Sequence, residues 1–362
     1  MTTDEAPGTR AASSVRPVCR LLLAALIGTA GGAFFDWLTL PAPWLTGAAT
    51  AVAIAAIAGL KVVVPGWLRN GSMIFLGVLM GSSVPPDILT QLPKWPISLA
   101  GLLIVVLAMM FTVSFFLERT QGFDPVTARL ACIPGNMTYV LALAEESSAD
   151  TRKVAIVQVM RLAILLACLP FAFDLLGFPA QPVNADLTLW EADVKQLGFL
   201  VGISIVGGIV FHLIGFPAGL MCGAMLASAL CSASQIIDAK VPGDLMIPAF
   251  VVLGAVTGAN FVGTDRNFLL RTAAAGVGAI TIGALIAVLV ALPVAHIMDT
   301  SIAKVFLAYA PGGSDTMSIL ALALGLEPAF VVSHHVIRMF GLGLIVPIWL
   351  RLYVGEWNVK AG

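Results

Sequence analysis

The chain alternates between apolar runs and short polar turns. Apolar runs lie near 18–38, 42–60, 71–84, 97–117, 128–144 and 154–178. After a polar, acidic stretch at 181–196 they resume near 197–214, 217–235, 246–262, 272–296, 303–324 and 329–352. An apolar helix of about 20 residues crosses the hydrocarbon core of a bilayer. The pattern therefore predicts an all-α integral membrane protein. The runs at 71–84 and 128–144 are short and interrupted by Gly or Pro. Residues 1–16 are polar and rich in Ala, Ser and Thr, which predicts a disordered tail, and 355–362 form a second tail. The first apolar run stands behind Arg10, Arg16 and Arg20 and leads into another without a clear small-residue cleavage site. It reads as a retained first helix rather than a signal peptide.

The runs repeat. GGAFFDWLTLPAPWLTG at 31–47 matches GGIVFHLIGFPAGLMCG at 207–223, a shift of 176. At a shift of 177, Gly77 and Gly81 match Gly254 and Gly258, Pro134-Gly135 matches Pro311-Gly312, Arg161 matches Arg338 and Pro170 matches Pro347. A shift that changes by one residue over so long a stretch marks a duplication. The expected division is repeat 1 over 17–180, a polar linker over 181–196 and repeat 2 over 197–354. Each repeat is expected to hold about five transmembrane helices plus one broken or re-entrant segment.

Lys and Arg near the ends of spans set orientation. Arg16 and Arg20 place the N-terminus in the cytoplasm, and Lys61, Arg69, Arg119 and Arg129 fall on the same side. The linker, with Asp186, Glu191 and Asp193, then lies outside. An odd number of spans inverts the second copy; six full spans per repeat, giving a parallel pair, is the alternative topology.

Composition agrees with the pattern and narrows the functions. Of 362 residues 59% are hydrophobic and 11% charged, and the mean hydropathy is +1.00. A soluble chain carries about 25% charged residues, so lipid is part of this protein's solvent. The net charge of −1 gives no basic field for nucleic acid. The five cysteines, Cys19, Cys132, Cys168, Cys222 and Cys231, show no CxxC or Cys/His spacing. No GxxxxGK[ST] motif appears, so direct ATP drive is not expected.

Two segments carry candidate chemistry: CIPGNMTYVLALAEESSADTRKVAIVQVMRLAILLACLP at 132–170 and YAPGGSDTMSILALALGLEPAFVVSHHVIRMFGLGLIVP at 309–347. Each opens on Pro-Gly, which interrupts a helix. Polar residues follow at once: Asn136, Thr138 and Tyr139 in one copy, Ser314, Asp315, Thr316 and Ser318 in the other. A helix starting there presents free N–H groups and the positive end of its dipole inside the membrane, where anions and ions bind. The competing reading is an ordinary N-cap at a membrane surface. Arg161 and Arg338 lie deep in apolar runs, where a charge is costly and needs a partner. Gln158 and His335 each precede an arginine by three and share its helix face. A carboxylate or carbonyl from the Pro-Gly segment would complete the pairing. Either the arginines face a solute, or they tie the broken helix to its neighbour or snorkel to a surface. The candidate substrate-binding set is Gly135, Asn136, Thr138, Arg161, Gly312, Gly313, Ser314, Asp315, Thr316, His335 and Arg338.

Adjacent His334 and His335 point about 100° apart on a helix and chelate poorly. No HxH or HExxH spacing appears, so no metal, cofactor or catalytic residue is expected. Glu145, Glu146 and Asp150 read as solvated residues at a helix end. The glycine pairs 77/81 and 254/258 read as sites of close helix packing.

With its paired Pro-Gly segments, ALAEESSADTRKVAIVQVMRL and above all ALALGLEPAFVVSHHVIRM, the chain resembles the AbrB-type membrane duplication family over essentially all of 19–352. Members of that family are bacterial membrane proteins often labelled as ammonia monooxygenases or as regulators of gene expression. The family's Pro-Gly-Gly motif is usually followed by a Glu-Met pair. Here Tyr139 and Thr316 replace that glutamate, and Asp315 sits one position early. The resemblance implies a multi-pass protein of the bacterial inner membrane. The leading functional expectation is a secondary transporter of a small organic anion or amino-acid-like solute, coupled to a proton or sodium ion. Solute would sit between Asn136–Thr138 and Gly312–Thr316, with Arg161 and Arg338 as anchors. A membrane regulator of gene expression and an oxygenase-like enzyme are the alternatives. A homo-oligomer is allowed by the sequence, and no nucleic-acid partner is expected.

Overall fold

The computed structural model describes residues 8–40, 42–84, 92–135, 137–175, 193–234, 245–263 and 266–354. Among these the protein is entirely helical. The elements are α1 (Gly8–Trp37), α2 (Pro43–Ile57), α3 (Gly66–Ser82), α4 (Trp95–Gln121), α5 (Pro125–Ala131), α6 (Met137–Glu145) and α7 (Thr151–Leu175). They continue as α8 (Val194–Leu213), α9 (Gly219–Ala233), α10 (Met246–Ala259), α11 (Arg266–Met298), α12 (Ile302–Tyr309), α13 (Ser314–Ala323) and α14 (Pro328–Val354).

Five helices are long and apolar enough to cross a bilayer: Cys19–Trp37, Trp95–Gln121, Lys195–Leu213, Asn267–Met298 and Pro328–Leu352. Large apolar side chains on several of them face outward, among them Leu26 on α1, Leu213 on α8 and Leu289 on α11. Such surface is stable only against lipid. This is a membrane protein.

The helix boundaries follow local chemistry. Asp124 caps α5 by accepting from the Thr127 amide at 2.9 Å. Asp193 caps α8, accepting from the amides of Lys195 and Gln196. Asp150 does the same for α7 through the amides of Arg152 and Lys153 at 3.1 and 3.2 Å. Helix α1 reaches back to Gly8, into the stretch expected as a tail. The expected linker lies outside the described residues up to 192.

Two expected runs divide. The run at 128–144 is α5 and α6, parted at Cys132–Gly135; the run at 303–324 is α12 and α13, parted at Ala310–Gly313. These four helices have 7 to 10 residues, each about 10–15 Å long and so at most half the hydrocarbon thickness.

Glycine sets how closely the other helices approach. Helix α1 crosses α2 where Gly31 meets Gly47, and α8 crosses α9 where Gly207 meets Gly223. Helix α3 lies on α9 with Gly77 and Gly81 against the carbonyls of Met221 and Met225. Helix α10 lies on α2 with Gly254 and Gly258 against the carbonyls of Leu45 and Ala49. The close-packing role expected for those glycine pairs is what the structure shows. Ala42 and Ala218, just before α2 and α9, both take left-handed backbone angles, with φ of 49° and 50°. At the centre α4 packs on α11, with α7 against α11 and α14 against α4. Tyr309 and Phe330 are among the largest fully buried side chains.

Candidate functional site

Breaking a helix inside a membrane leaves carbonyl groups at the end of the first half with no intrahelical donor and no water. Each break here is answered from the long helix that follows it. Arg338 of α14 donates from Nη1 to the Ala310 carbonyl and from Nη2 to the Gly312 carbonyl, both at 2.8 Å. Its Nη2 also donates to Nδ1 of His335 at 2.7 Å. The other ring nitrogen of His335 donates to the Leu307 carbonyl at 3.1 Å. A guanidinium only donates and a carbonyl only accepts. His335 therefore carries its proton on Nε2 and is neutral.

The first break is built the same way. Arg161 of α7 donates from Nη1 to the Ile133 carbonyl at 3.0 Å, and from Nη2 to Oε1 of Gln158. Nε2 of Gln158 donates to the same Ile133 carbonyl at 3.1 Å. Ile133 and Ala310, Gln158 and His335, Arg161 and Arg338 are all 177 positions apart.

Of the alternatives left open for the arginines, the tie between broken helix and neighbour is the one seen, with carbonyls as partners. It does not exhaust them. Both side chains are buried, at 5% and 3% exposure, and Nε of each makes no hydrogen bond among the described residues. Among those residues no carboxylate lies within ion-pair distance of either guanidinium. Among the described residues the two buried guanidinium groups thus stand against carbonyl dipoles, each with its Nε donor unfilled.

The two breaks also meet. A Cβ placed on Gly135 would lie 3.3 Å from Nη2 of Arg338, and one on Gly313 would lie 3.4 Å from the Leu162 side chain, next to Arg161. Gly135 has φ of 92°, a backbone angle that an L side chain rarely adopts. Gly312 supplies the carbonyl that Arg338 binds, and Gly313 precedes the first turn of α13. Oγ of Ser314 lies 3.7 Å from Sδ of Met339, and Thr316 is half-buried on α13. Thr138 and Asp315 lie on α6 and α13, but their side chains, like all of Asn136, lie outside the described residues. His334 and His335 serve different neighbours: His334 donates from Nδ1 to the Phe330 carbonyl at 2.8 Å and stands 2.7 Å from Oγ of Ser98. Among the described residues no group of three His, Cys, Asp or Glu is placed to hold a metal ion.

Residues 44–354 match the family profile described as Transition state regulatory protein AbrB. The chain belongs to the AbrB family. An AbrB relative of Escherichia coli (strain K12), "Putative regulator AbrB", is 28% identical over 317 residues, covering 86% of this chain and 90% of the relative. "Uncharacterized protein YhjN" of Bacillus subtilis (strain 168) is 26% identical over 311 residues, covering 79% of this chain and 78% of the relative.

The sequence reading missed one polar cluster in this AbrB protein. Lys304 of α12 is buried and pairs with Glu327 at 2.7 Å, and its Nζ stands 5.1 Å from the centre of the Phe330 ring. Tyr309 donates to the Ser98 carbonyl at 2.6 Å, joining α12 to α4. A lysine inside an apolar run was the available signal. In the first half Thr127 and Asp150 stand 177 positions before Lys304 and Glu327, and there the Asp150 amide donates to Oγ1 of Thr127 at 2.8 Å. Glu327→Gln strands the lysine charge and is expected to lower stability by about 1–2 kcal/mol, a modest value because the glutamate is one-third exposed. Adding Lys304→Met should restore most of the loss in thermal unfolding of the purified protein; no recovery would mean that the pair is not the source of the effect.

Proposed function

We propose that this AbrB-family protein is a secondary transporter of a small organic anion or amino-acid-like solute, held where the two broken helices meet. The observation that carries the reading is a pair of buried guanidinium groups with unfilled donors, placed at helix breaks and balanced by no described carboxylate. Arg161 and Arg338 would serve twice, holding the breaks and presenting positive charge to the solute. His335 orients Arg338, and Thr138, Ser314, Asp315 and Thr316, in the first turns of α6 and α13, would complete the site. Solute is bound and moved without being transformed.

The proposal includes two repeats, 17–180 and 197–354, inverted in the membrane. Reciprocal packing of α3 on α9 and α10 on α2 supports a two-fold relation between the halves. An odd number of crossings and the placement of Arg and Lys favour inversion. We place the protein in the inner membrane with a cytoplasmic N-terminus, coupled to a proton or sodium ion. Rocking of one half against the other would open the junction to each side in turn.

Purified protein heated with organic acids, amino acids and amines, with and without sodium and across pH, tests the reading. A stabilising anion that is also taken up by proteoliposomes supports it. Stabilisation by amines alone, or by nothing in a folded sample, overturns it. The names of the family and of the Escherichia coli relative favour a second reading, a membrane regulator of gene expression. That reading expects an expression phenotype without solute flux.

A further inference from the structure

A cavity of about 490 Å³ lies between α7, α11 and α12. Its walls are almost wholly aliphatic and aromatic. Each of its walls leads along its helix toward the junction of the broken helices. On α7 the lining residue Leu165 is one turn beyond Arg161. On α11 the lining residues Ile280 and Ala284 flank Gly283, where an added Cβ would stand 3.2 Å from the ring of Pro311. On α12 the lining residue Phe306 is four positions before Ala310, whose carbonyl Arg338 holds. The cavity opens outward past Leu285 and Leu292, both exposed.

An apolar chamber whose walls lead toward the breaks held by two buried guanidinium groups offers a container of mixed character. A hydrophilic amino acid or a short acid would leave the chamber unfilled. An uncharged hydrocarbon would fill it and ignore the arginines. A carboxylate with an aliphatic or aromatic tail satisfies both, since charge-assisted bonds to guanidinium fix the head and burial of apolar surface holds the tail. The volume is within the range of about 300–1,000 Å³ common for small-molecule sites. Resting on the transport reading above, we infer that the solute is an amphipathic monocarboxylate of medium chain length, head at the arginines and tail between α7 and α11.

Cys168 lines the chamber and is exposed, whereas Cys132, Cys222 and Cys231 are buried. Replacing the one other exposed cysteine, Cys19→Ser, leaves Cys168 as the accessible thiol for a maleimide in proteoliposomes. Octanoate should slow labelling at least five-fold, while acetate and octanol should not. Leu285→Trp, which fills the mouth from an exposed position, should abolish the protection in a protein with unchanged thermal unfolding. Equal protection by octanol overturns the inference and makes the chamber a seat for lipid tails; no protection by octanoate overturns it as well. Uptake of a small hydrophilic anion without protection of Cys168 would leave transport standing and remove only this solute class. Protection without any flux would keep the ligand and remove transport.

Discussion

Arg338→Ala is expected to destabilise the protein by about 3–5 kcal/mol, and Arg161→Ala by only about 1–2 kcal/mol, although the two arginines occupy matching places. The difference comes from what each leaves behind. Without Arg338, the carbonyls of Ala310 and Gly312 and Nδ1 of His335 lose the donor seen for them. Without Arg161, the Ile133 carbonyl still accepts from Gln158, and only the amide oxygen of Gln158 loses its donor. A buried acceptor with no partner costs about 1–3 kcal/mol, so the count of stranded acceptors sets the order. Arg338→Lys should fall between, because one ammonium cannot reproduce the planar fork that reaches both carbonyls. Denaturation of the three variants in one detergent measures the ranking. Equal losses at the two arginines would show that the stranded acceptors do not govern stability. If solute still stabilises folded Arg161→Ala by the wild-type amount, Arg161 is a tie and not an anchor.

That asymmetry marks the limit of the sequence reading. The spacing of Pro134-Gly135 and Pro311-Gly312 located both breaks, because proline and glycine act through local backbone chemistry. The positions of Arg161 and Arg338 in apolar runs showed that each needs a partner, and the three-residue spacing named Gln158 and His335. Which acceptor completes each set was not legible. Carbonyl groups are the same in every residue, so only the fold tells which ones face the guanidinium. The approach of Gly135 to Arg338, from opposite halves of the chain, was hidden for the same reason. Lys304 was visible as a charge in an apolar run, but its partner Glu327 lies 23 residues away across a broken helix. Nothing in the sequence pairs Tyr309 with its acceptor, the Ser98 carbonyl, on a helix more than 200 positions distant.

Gly47→Val is expected to abolish the folded protein, whereas Gly71→Ala in α3 should leave it intact or raise its stability by up to about 1 kcal/mol. Both positions lie inside helices of the first half, so helix propensity cannot separate them. At Gly47 an added Cβ strikes the backbone of Gly31 and comes within 2.9 Å of the Phe35 ring. Backbone cannot turn aside as a flexible side chain does, so α1 and α2 must part. Overpacking a core costs about 1–3 kcal/mol where side chains can shift, and more where they cannot. The damage would spread, because α2 also carries α10 through Gly254 and Gly258. At Gly71 nothing lies within 4 Å of an added Cβ. Size-exclusion profiles of the two variants in detergent separate the cases. A monodisperse Gly47→Val protein would mean that α1 and α2 have freedom to move apart. That freedom would put the moving element of any transport cycle at this crossing instead of at the broken helices.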